Sequence, residues 1–225
     1  MRIGYYAAAL GSLEQEKRLD VIANNLSNAG TAGFKKDAVH FRDYLDQSTY
    51  SRLSQGRVRQ TDNPLDVALN GEGYFRVQAD RGVLFTRSGN LTRNKDNALV
   101  TQEGWPVLGR NGGPITVEKS DVRIEANGQV FDGEDAVDTL DIVKFPADTK
   151  LEKARNGLFK APQGVNPLPA TECGVQQGAL EDANFDMVSE MTQMIETMRV
   201  FEAYQKTMQF HDQLDSQITS KLGGV

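Results

Sequence analysis

The sequence predicts an α+β protein. Long N- and C-terminal helices pair as a coiled-coil-like stalk, and a central all-β domain forms a small sandwich or barrel. Three observations predict this. All seven prolines of the 225-residue chain fall between Pro64 and Pro169, so both flanks are free to form uninterrupted helix. Both flanks carry apolar residues at helical spacing. The middle is cut by Gly, Asn and Pro into short apolar runs, the punctuation of successive strands. The expected division is 1–34 for the first helix and the loop after it, 35–70 for a connecting extension, 71–180 for the β domain and 181–225 for the last helix.

The first helix is expected over about residues 3–27. Ile3, Tyr6, Ala7, Leu10, Leu13 and Val21 form one face, and Leu19, Ile22, Ala23 and Leu26 form a second, rotated away from the first. A helix apolar on two sides is buried on two sides. One C-terminal helix covers only one of them, so the second face points to self-association or a neighbouring subunit. Asn24-Asn25-Leu26-Ser27-Asn28-Ala29-Gly30 supplies the stop. The first ten residues have the outline of a signal peptide: one basic residue, an apolar run, then small residues. The run is rich in Ala and Tyr and passes straight into the helical pattern, so it reads as the start of the helix.

The last helix is the clearest element. Met187, Met191, Met194, Met198, Phe201, Tyr204, Met208, His211, Leu214, Ile218 and Leu222 follow one another in steps of three or four, and all but His211 are apolar or aromatic. Such a helix is roughly 50 Å long and exposes more apolar face than the rest of this chain covers. Asn184 or Asp186 caps its start, and Gly223-Gly224 ends it. Five of the six methionines lie on this stripe, which reads either as plain helical core or as an interface tolerant of slightly different packings.

Between the helices, Asp62-Asn63-Pro64 marks a turn, and Leu65, Val67 and Leu69 alternate with polar residues. Asn70-Gly71 signals a tight hairpin into Tyr74–Val77, and Asn127-Gly128 signals a second between Val122–Glu125 and Gln129–Phe131. Further strands are expected at Val83–Thr86, Ala98–Val100, Trp105–Leu108, Ile115–Val117 and Thr139–Phe145. Residues 35–60 fit no single pattern. They carry six basic residues against three acidic, whereas 181–222 carries eight acidic against three basic. The two stretches are solvated faces or complementary surfaces that guide association.

Composition removes several functions. With 25 basic and 31 acidic residues the net charge is −6, unsuited to gripping a phosphate backbone, so no nucleic-acid partner is expected. The longest apolar stretch, Ile3 to Leu13, is too short to insert in a membrane. One cysteine, Cys173, excludes an intrachain disulfide framework and a Cys-rich zinc site. No GxxxxGK, GxGxxG or HExxH pattern is present. Asn94–Asn97 and Asp132–Asp135 offer calcium-type oxygens but lack the twelve-residue loop spacing, and polar turns are their default reading. His211 sits on the apolar stripe as a packing residue. No catalytic, cofactor-binding or metal-ligating residue is expected, and no cofactor.

Five segments resemble those of bacterial flagellar rod and hook proteins. Asn24-Asn25-Leu26-Ser27-Asn28-Ala29-Gly30-Thr31-Ala32-Gly33-Phe34-Lys35-Lys36 is similar to their N-terminal signature, and Asn63–Phe75 to their second characteristic segment. Phe85–Asn90 and Leu99–Gly109 are similar to the third, and Gly178–Asn184 with the helix after it resembles the C-terminal signature. Residues 110–177 carry little of the pattern. The resemblance implies a non-enzymatic building block of the basal-body rod. It implies partners among copies of itself and other rod proteins, with terminal helices packed around the export channel and the β domain outside. It also implies passage through the flagellar export apparatus without a cleaved signal, to a rod that crosses the periplasm. Arg199-Val200-Phe201-Glu202-Ala203-Tyr204-Gln205-Lys206 is more like the proximal rod type, with the distal rod type as runner-up. The residues expected at subunit interfaces are Ile3, Tyr6, Ala7, Leu10, Leu13, Leu19, Val21, Ile22, Leu26, Met187, Met191, Met194, Met198, Phe201, Tyr204, Met208, Leu214 and Ile218. Two rival readings are a β-domain adaptor or adhesin on a helical stalk, and a peptidoglycan hydrolase, for which no acidic pair or activated nucleophile is nominated.

Overall fold

The computed structural model describes residues 2–43, 46–80, 82–119, 121–146 and 149–222. The chain folds into two units, one of residues 1–29, 36–52 and 185–225, the other of residues 30–35 and 53–184.

The first unit contains α1 (Arg2–Ser27), β1 (Asp37–Asp43), β2 (Asp46–Ser51) and a long final helix, α2 (Met187–Leu222). At 36 residues α2 runs about 54 Å. Asp186 is its N-cap: the Oδ2 atom accepts from the Ser189 backbone N–H at 2.8 Å and from Ser189 Oγ at 2.7 Å. Those bonds, the hydroxyl first, hold the Asp186 carboxyl below the usual carboxylate range. The expected Gly223-Gly224 stop lies outside the described residues, as do the side chains of Arg42, Asp43 and Asp46 in the charged stretch. Residues 37–43 and 46–51, which fitted no pattern in the sequence, pair antiparallel from Asp37↔Ser51 to Asp43↔Asp46.

The second unit is all-β. Its strands are β3 (Val58–Gln60), β4 (Val67–Asn70), β5 (Tyr74–Ala79), β6 (Gly82–Thr86), β7 (Leu91–Arg93), β8 (Leu99–Thr101), β9 (Val122–Ile124), β10 (Gln129–Asp132), β11 (Asp135–Thr139), β12 (Ile142–Lys144), β13 (Glu152–Lys153), β14 (Leu158–Lys160), β15 (Leu168–Pro169), β16 (Gly174–Gln177) and β17 (Ala179–Glu181). The largest sheet is antiparallel in the order β13-β14-β6-β5-β12-β15. One of its faces sends Phe75, Val77, Ile142 and Leu158 into the main core, with Val122, Ile124 and Val130 of the β9–β11 sheet. The other face carries a smaller cluster of Tyr74, Phe85, Val143 and Phe159. The period-two alternation of each strand produces both layers.

Of the two hairpin signals, one is realised. Asn127-Gly128 joins β9 to β10, with Gly128 at φ +85°. The other is not: β4 pairs with β16, Val67↔Gln177 through Asn70↔Gly174, rather than with β5. The reason is electrostatic. The chain from Leu69 to Gly73 opens so that three of its carbonyls reach the Arg87 guanidinium, which a closed two-residue turn would prevent. Asp62-Asn63-Pro64 does turn, fastened by the Asp66 carboxylate, which accepts from Thr61 Oγ1 and Asn63 Nδ2.

Candidate functional site

In the first unit α1 and α2 pair antiparallel in constant register. Gly4 meets His211, Gly11 meets Tyr204, Ser12 accepts from Gln205 Nε2 at 3.2 Å, and Asn25 donates to Glu190 at 2.7 Å. Seven residues forward on α1 match seven residues back on α2, the heptad relation of a two-stranded coiled coil. Small residues on α1 (Gly4, Ala8, Gly11, Ser12) face large ones on α2, so the axes approach closely. A Cβ built on Gly11 would lie 2.5 Å from the Tyr204 ring, closer than carbon atoms approach.

Past the buried Val21 and Ile22 the hairpin carries a polar cluster. Asn25 is wholly buried and Glu190 is 1% exposed. Asn25 Nδ2 donates to Glu190 Oε1 and, at 2.9 Å, to the Asp37 carbonyl, while its Oδ1 accepts from the Asp37 N–H at 2.9 Å. The Lys36 ammonium bonds the other Glu190 oxygen. One amide thus clamps β1 to both helices. The last turns of the first helix meet β1 of its own chain at Asn25, so that part of its surface is covered without a neighbour.

The expected interface residues divide. Leu10, Leu19, Val21, Ile22, Leu26, Met194, Phe201, Tyr204, Met208 and Leu214 are buried or half-buried. Ile3, Tyr6, Ala7, Leu13, Met187, Met191, Met198 and Ile218 are exposed. Ile3 is 87% exposed and Tyr6 61%; on α2 Val188, at 69%, and Ile195, at 54%, join the outward set. Antiparallel pairing sets these groups at opposite ends of the hairpin, because the first turns of α1 lie beside the last turns of α2. Large apolar groups therefore stand in solvent at both ends of the hairpin.

Sequence reading passed over the stripe Gly4-Ala8-Gly11-Ser12, which has the heptad spacing but too little hydrophobicity to register as a face. Four of the five stretches that carry the resemblance converge, in the second unit, on one buried ion network; Leu99–Gly109 takes no part in it. Lys35 Nζ is 2.6 Å from Glu181 Oε1, and Arg87 Nε is 2.6 Å from Glu181 Oε2. Lys35 also donates to the Ser54 carbonyl, Glu181 accepts from the Gly56 N–H, and Arg87 donates to the carbonyls of Leu69, Gly71 and Gly73. All three charged side chains are 4% exposed or less. Burial, opposed by the Glu181 bond and charge, lowers the Lys35 pKa. Gly33 belongs here for two reasons: its φ is +68°, and a Cβ would lie 2.5 Å from the Arg87 backbone.

The remaining polar candidates are structural. Asp132 accepts from the backbone of Glu118 and Lys119, Asn94 Oδ1 from that of Asp96 and Ala98, so both polar stretches close turns. Burial pushes the Cys173 thiol up, away from a reactive thiolate. Among the described residues no group of His, Cys, Asp and Glu is placed to hold a metal ion, and no helix is long and apolar enough to cross a membrane.

A helical hairpin that fills its own seam yet leaves large apolar groups in solvent, together with a β unit whose buried ions are engaged with one another and with its own backbone, has the character of an assembly subunit. Comparison with known proteins agrees. Residues 7–35 match the family described as flagella basal body rod protein, 68–131 the flagellar hook protein FlgE/F/G D1 domain, and 176–221 the flagellar basal body rod FlgEFG protein C-terminal region. The chain is 30% identical to the flagellar basal-body rod protein FlgF of Caulobacter vibrioides over 98% of both chains. It is 29% identical to FlgF of Mesorhizobium japonicum over 90% of both, and 28% identical to the rod protein FlgG of Bacillus subtilis over 93% of this chain and 95% of that one. The chain belongs to the flagellar basal-body rod family: it is a structural rod protein and not an enzyme.

Proposed function

We propose that this chain is a proximal-rod subunit, whose helical hairpin packs against copies of itself and other rod proteins, surrounds the export channel and transmits torque. The observation that carries the reading is the hairpin's filled seam with apolar groups left outside: Ile3, Tyr6 and Leu13 at one end, Met187, Met191 and Met198 at the other. Met198 is half-exposed in the subunit, so Met198→Asp carries its charge harmlessly until a neighbour covers it. Burial of that unpaired carboxylate then blocks assembly. Export without a cleaved signal fits the same geometry. Cleavage within the first twenty residues would remove Gly4, Ala8 and Gly11, and with them half of the seam.

The relatives named FlgF and the Arg199–Lys206 run support the proximal position. The FlgG relatives of nearly equal identity support a distal position as the second reading. The test is electron microscopy of basal bodies from a strain lacking this chain, beside a soft-agar swimming assay. Basal bodies that stop at the membrane rings are the expected result. A rod that starts normally and stops short favours the distal reading, and complete rods and hooks with normal swimming would overturn both.

A further inference from the structure

Five of the chain's six methionines lie on α2, and none falls between residues 2 and 186. Neither apolar cluster of the β unit contains one. The thioethers are thus gathered on one helix, but they do not share one environment. Met187, Met191 and Met198 are 46%, 48% and 45% exposed, whereas Met194 and Met208 are half-buried. At about 100° per residue, Met187, Met191 and Met198 fall within roughly 40° of one another around the helix. Val188 and Ile195, also exposed, flank them on one side. On the other side Met194 stands between this stripe and the buried Glu190 and Thr197.

An exposed thioether is a ready target for a peroxide, and a covered one is not. A sulfur lone pair attacks one peroxide oxygen, and the S–O bond forms as the O–O bond breaks. The departing oxygen takes up a proton and leaves as water. Sulfur loses two electrons and the peroxide gains them. The product, methionine sulfoxide, is polar where the thioether was apolar. A sulfoxide reductase reverses the change. Its dithiol removes the oxygen as water and becomes a disulfide.

We propose that Met187, Met191 and Met198 form a reversible oxidation site, whose reagent is hydrogen peroxide and whose effect is to close this face of α2 to neighbours. The effect on neighbours rests on the rod reading above; the selective oxidation does not. In the free subunit the sulfoxide oxygens stay in water, and the α1–α2 seam is untouched. When a neighbour covers the stripe, each sulfoxide oxygen leaves water, and the contact weakens about tenfold for each one left unpaired. Subunits already assembled are shielded. The site therefore responds to peroxide before docking and not after it.

The experiment treats the purified full chain with hydrogen peroxide and follows each methionine by peptide mass mapping. Met187, Met191 and Met198 should each gain an oxygen several-fold faster than Met194 and Met208, with helix content by circular dichroism unchanged. Equal rates at all of them, or helix loss in step with oxygen uptake, overturns the site. Cells lacking sulfoxide reductase, and just beginning to make the chain, then receive a brief peroxide pulse, and completed basal bodies are counted. The unsubstituted chain should give a several-fold loss. The chain with Met187→Leu, Met191→Leu and Met198→Leu should resist, and the one with Met194→Leu and Met208→Leu should not. Equal loss in all three overturns the effect on neighbours. Should the triple variant fail to assemble unchallenged, the unsubstituted chain decides: its three outer methionines should oxidise several-fold more slowly in intact basal bodies than in the free chain, and equal rates overturn that effect. Absence of the unsubstituted chain from purified basal bodies sinks the rod reading instead and leaves the oxidation pattern of the free chain standing.

Discussion

Glu181→Gln removes one negative charge from between two buried cations and keeps the side chain's shape. Glu181 Oε1 serves Lys35 and the Gly56 N–H, and Oε2 serves Arg87. An amide presents one acceptor where the carboxylate presented two, so either Lys35 or Arg87 faces a donor. Breaking a buried pair in this way costs about 3–5 kcal/mol. An independent ceiling comes from Lys35. Instead of remaining charged it can release its proton, and moving a lysine from 10.5 to pH 7 costs about 5 kcal/mol at 1.36 kcal/mol per unit. The two routes agree, and the loss is a large part of a domain's usual 5–15 kcal/mol. Trp105 is the chain's single tryptophan and packs on the main core, so its fluorescence in a urea titration reports the β unit, while circular dichroism at helical wavelengths reports α1 and α2. The tryptophan transition should move far more than the helical one. The deficit should also shrink as pH rises from 7 toward 10, because a neutral Lys35 no longer needs the missing charge. A loss below about 1 kcal/mol, the size of one ordinary hydrogen bond, or a loss independent of pH, would refute the argument that Glu181 is there to neutralise these cations.

Other outcomes follow from the same geometry. Gly11→Leu should separate the helices at Tyr204, lowering helix content of the isolated chain and ending swimming, and Tyr204→Ala should partly restore both; unchanged helix content would contradict the close approach. Ile195→Asp should leave the isolated chain's stability within about 0.5 kcal/mol, as for a surface change, yet exclude it from basal bodies; normal incorporation would show that this face stays open. Burial raises the Tyr74 pKa from 10.0 to about 12, so the unfolded chain ionises first and stability falls between pH 10 and 12, by roughly 2.7 kcal/mol in all; Tyr74→Phe should flatten that fall. Lys35 runs the other way: its lowered pKa makes stability rise as pH climbs toward 10.5, and Lys35→Met should remove the rise.

Much of the fold was legible because its signals are local. Proline placement freed the flanks, the three-and-four spacing from Met187 drew α2, and Asn127-Gly128 placed one hairpin. What was missed is non-local. The pairing of β4 with β16 joins strands about a hundred residues apart and depends on Arg87 drawing three carbonyls around itself, which no run of residues between Asn70 and Tyr74 announces. The pairing of β1 with β2 was hidden because its pattern is mostly polar and its anchor, Asn25, lies on another element. Apolar periodicity located α1 but assigned its faces poorly. In its first turns the face that meets α2 is made of Gly, Ala and Ser, and hydrophobicity counting favours Ile3, Tyr6 and Leu13, which remain outside.

That inversion explains how one helix pair serves two purposes. If α1 had turned its large residues to α2, the hairpin would be stable alone and have nothing left to offer a neighbour. Small residues in the seam bring the axes close, so contact is made by backbone and by Tyr204 and His211 from one side, while bulky side chains stay available. The methionines divide accordingly: Met194 and Met208 turn partly inward, and Met187, Met191 and Met198 outward. A thioether adapts its shape at little cost, which suits outer positions that, under the proposed function, meet neighbours of differing surface. The seam admits no such latitude, since a single Cβ at Gly11 already collides. Specific pairing is therefore set inside the hairpin and tolerance is kept outside it, and substitutions at Gly11 and at Met191 should fail in different assays: the first as a folding defect in the isolated chain, the second only when subunits meet.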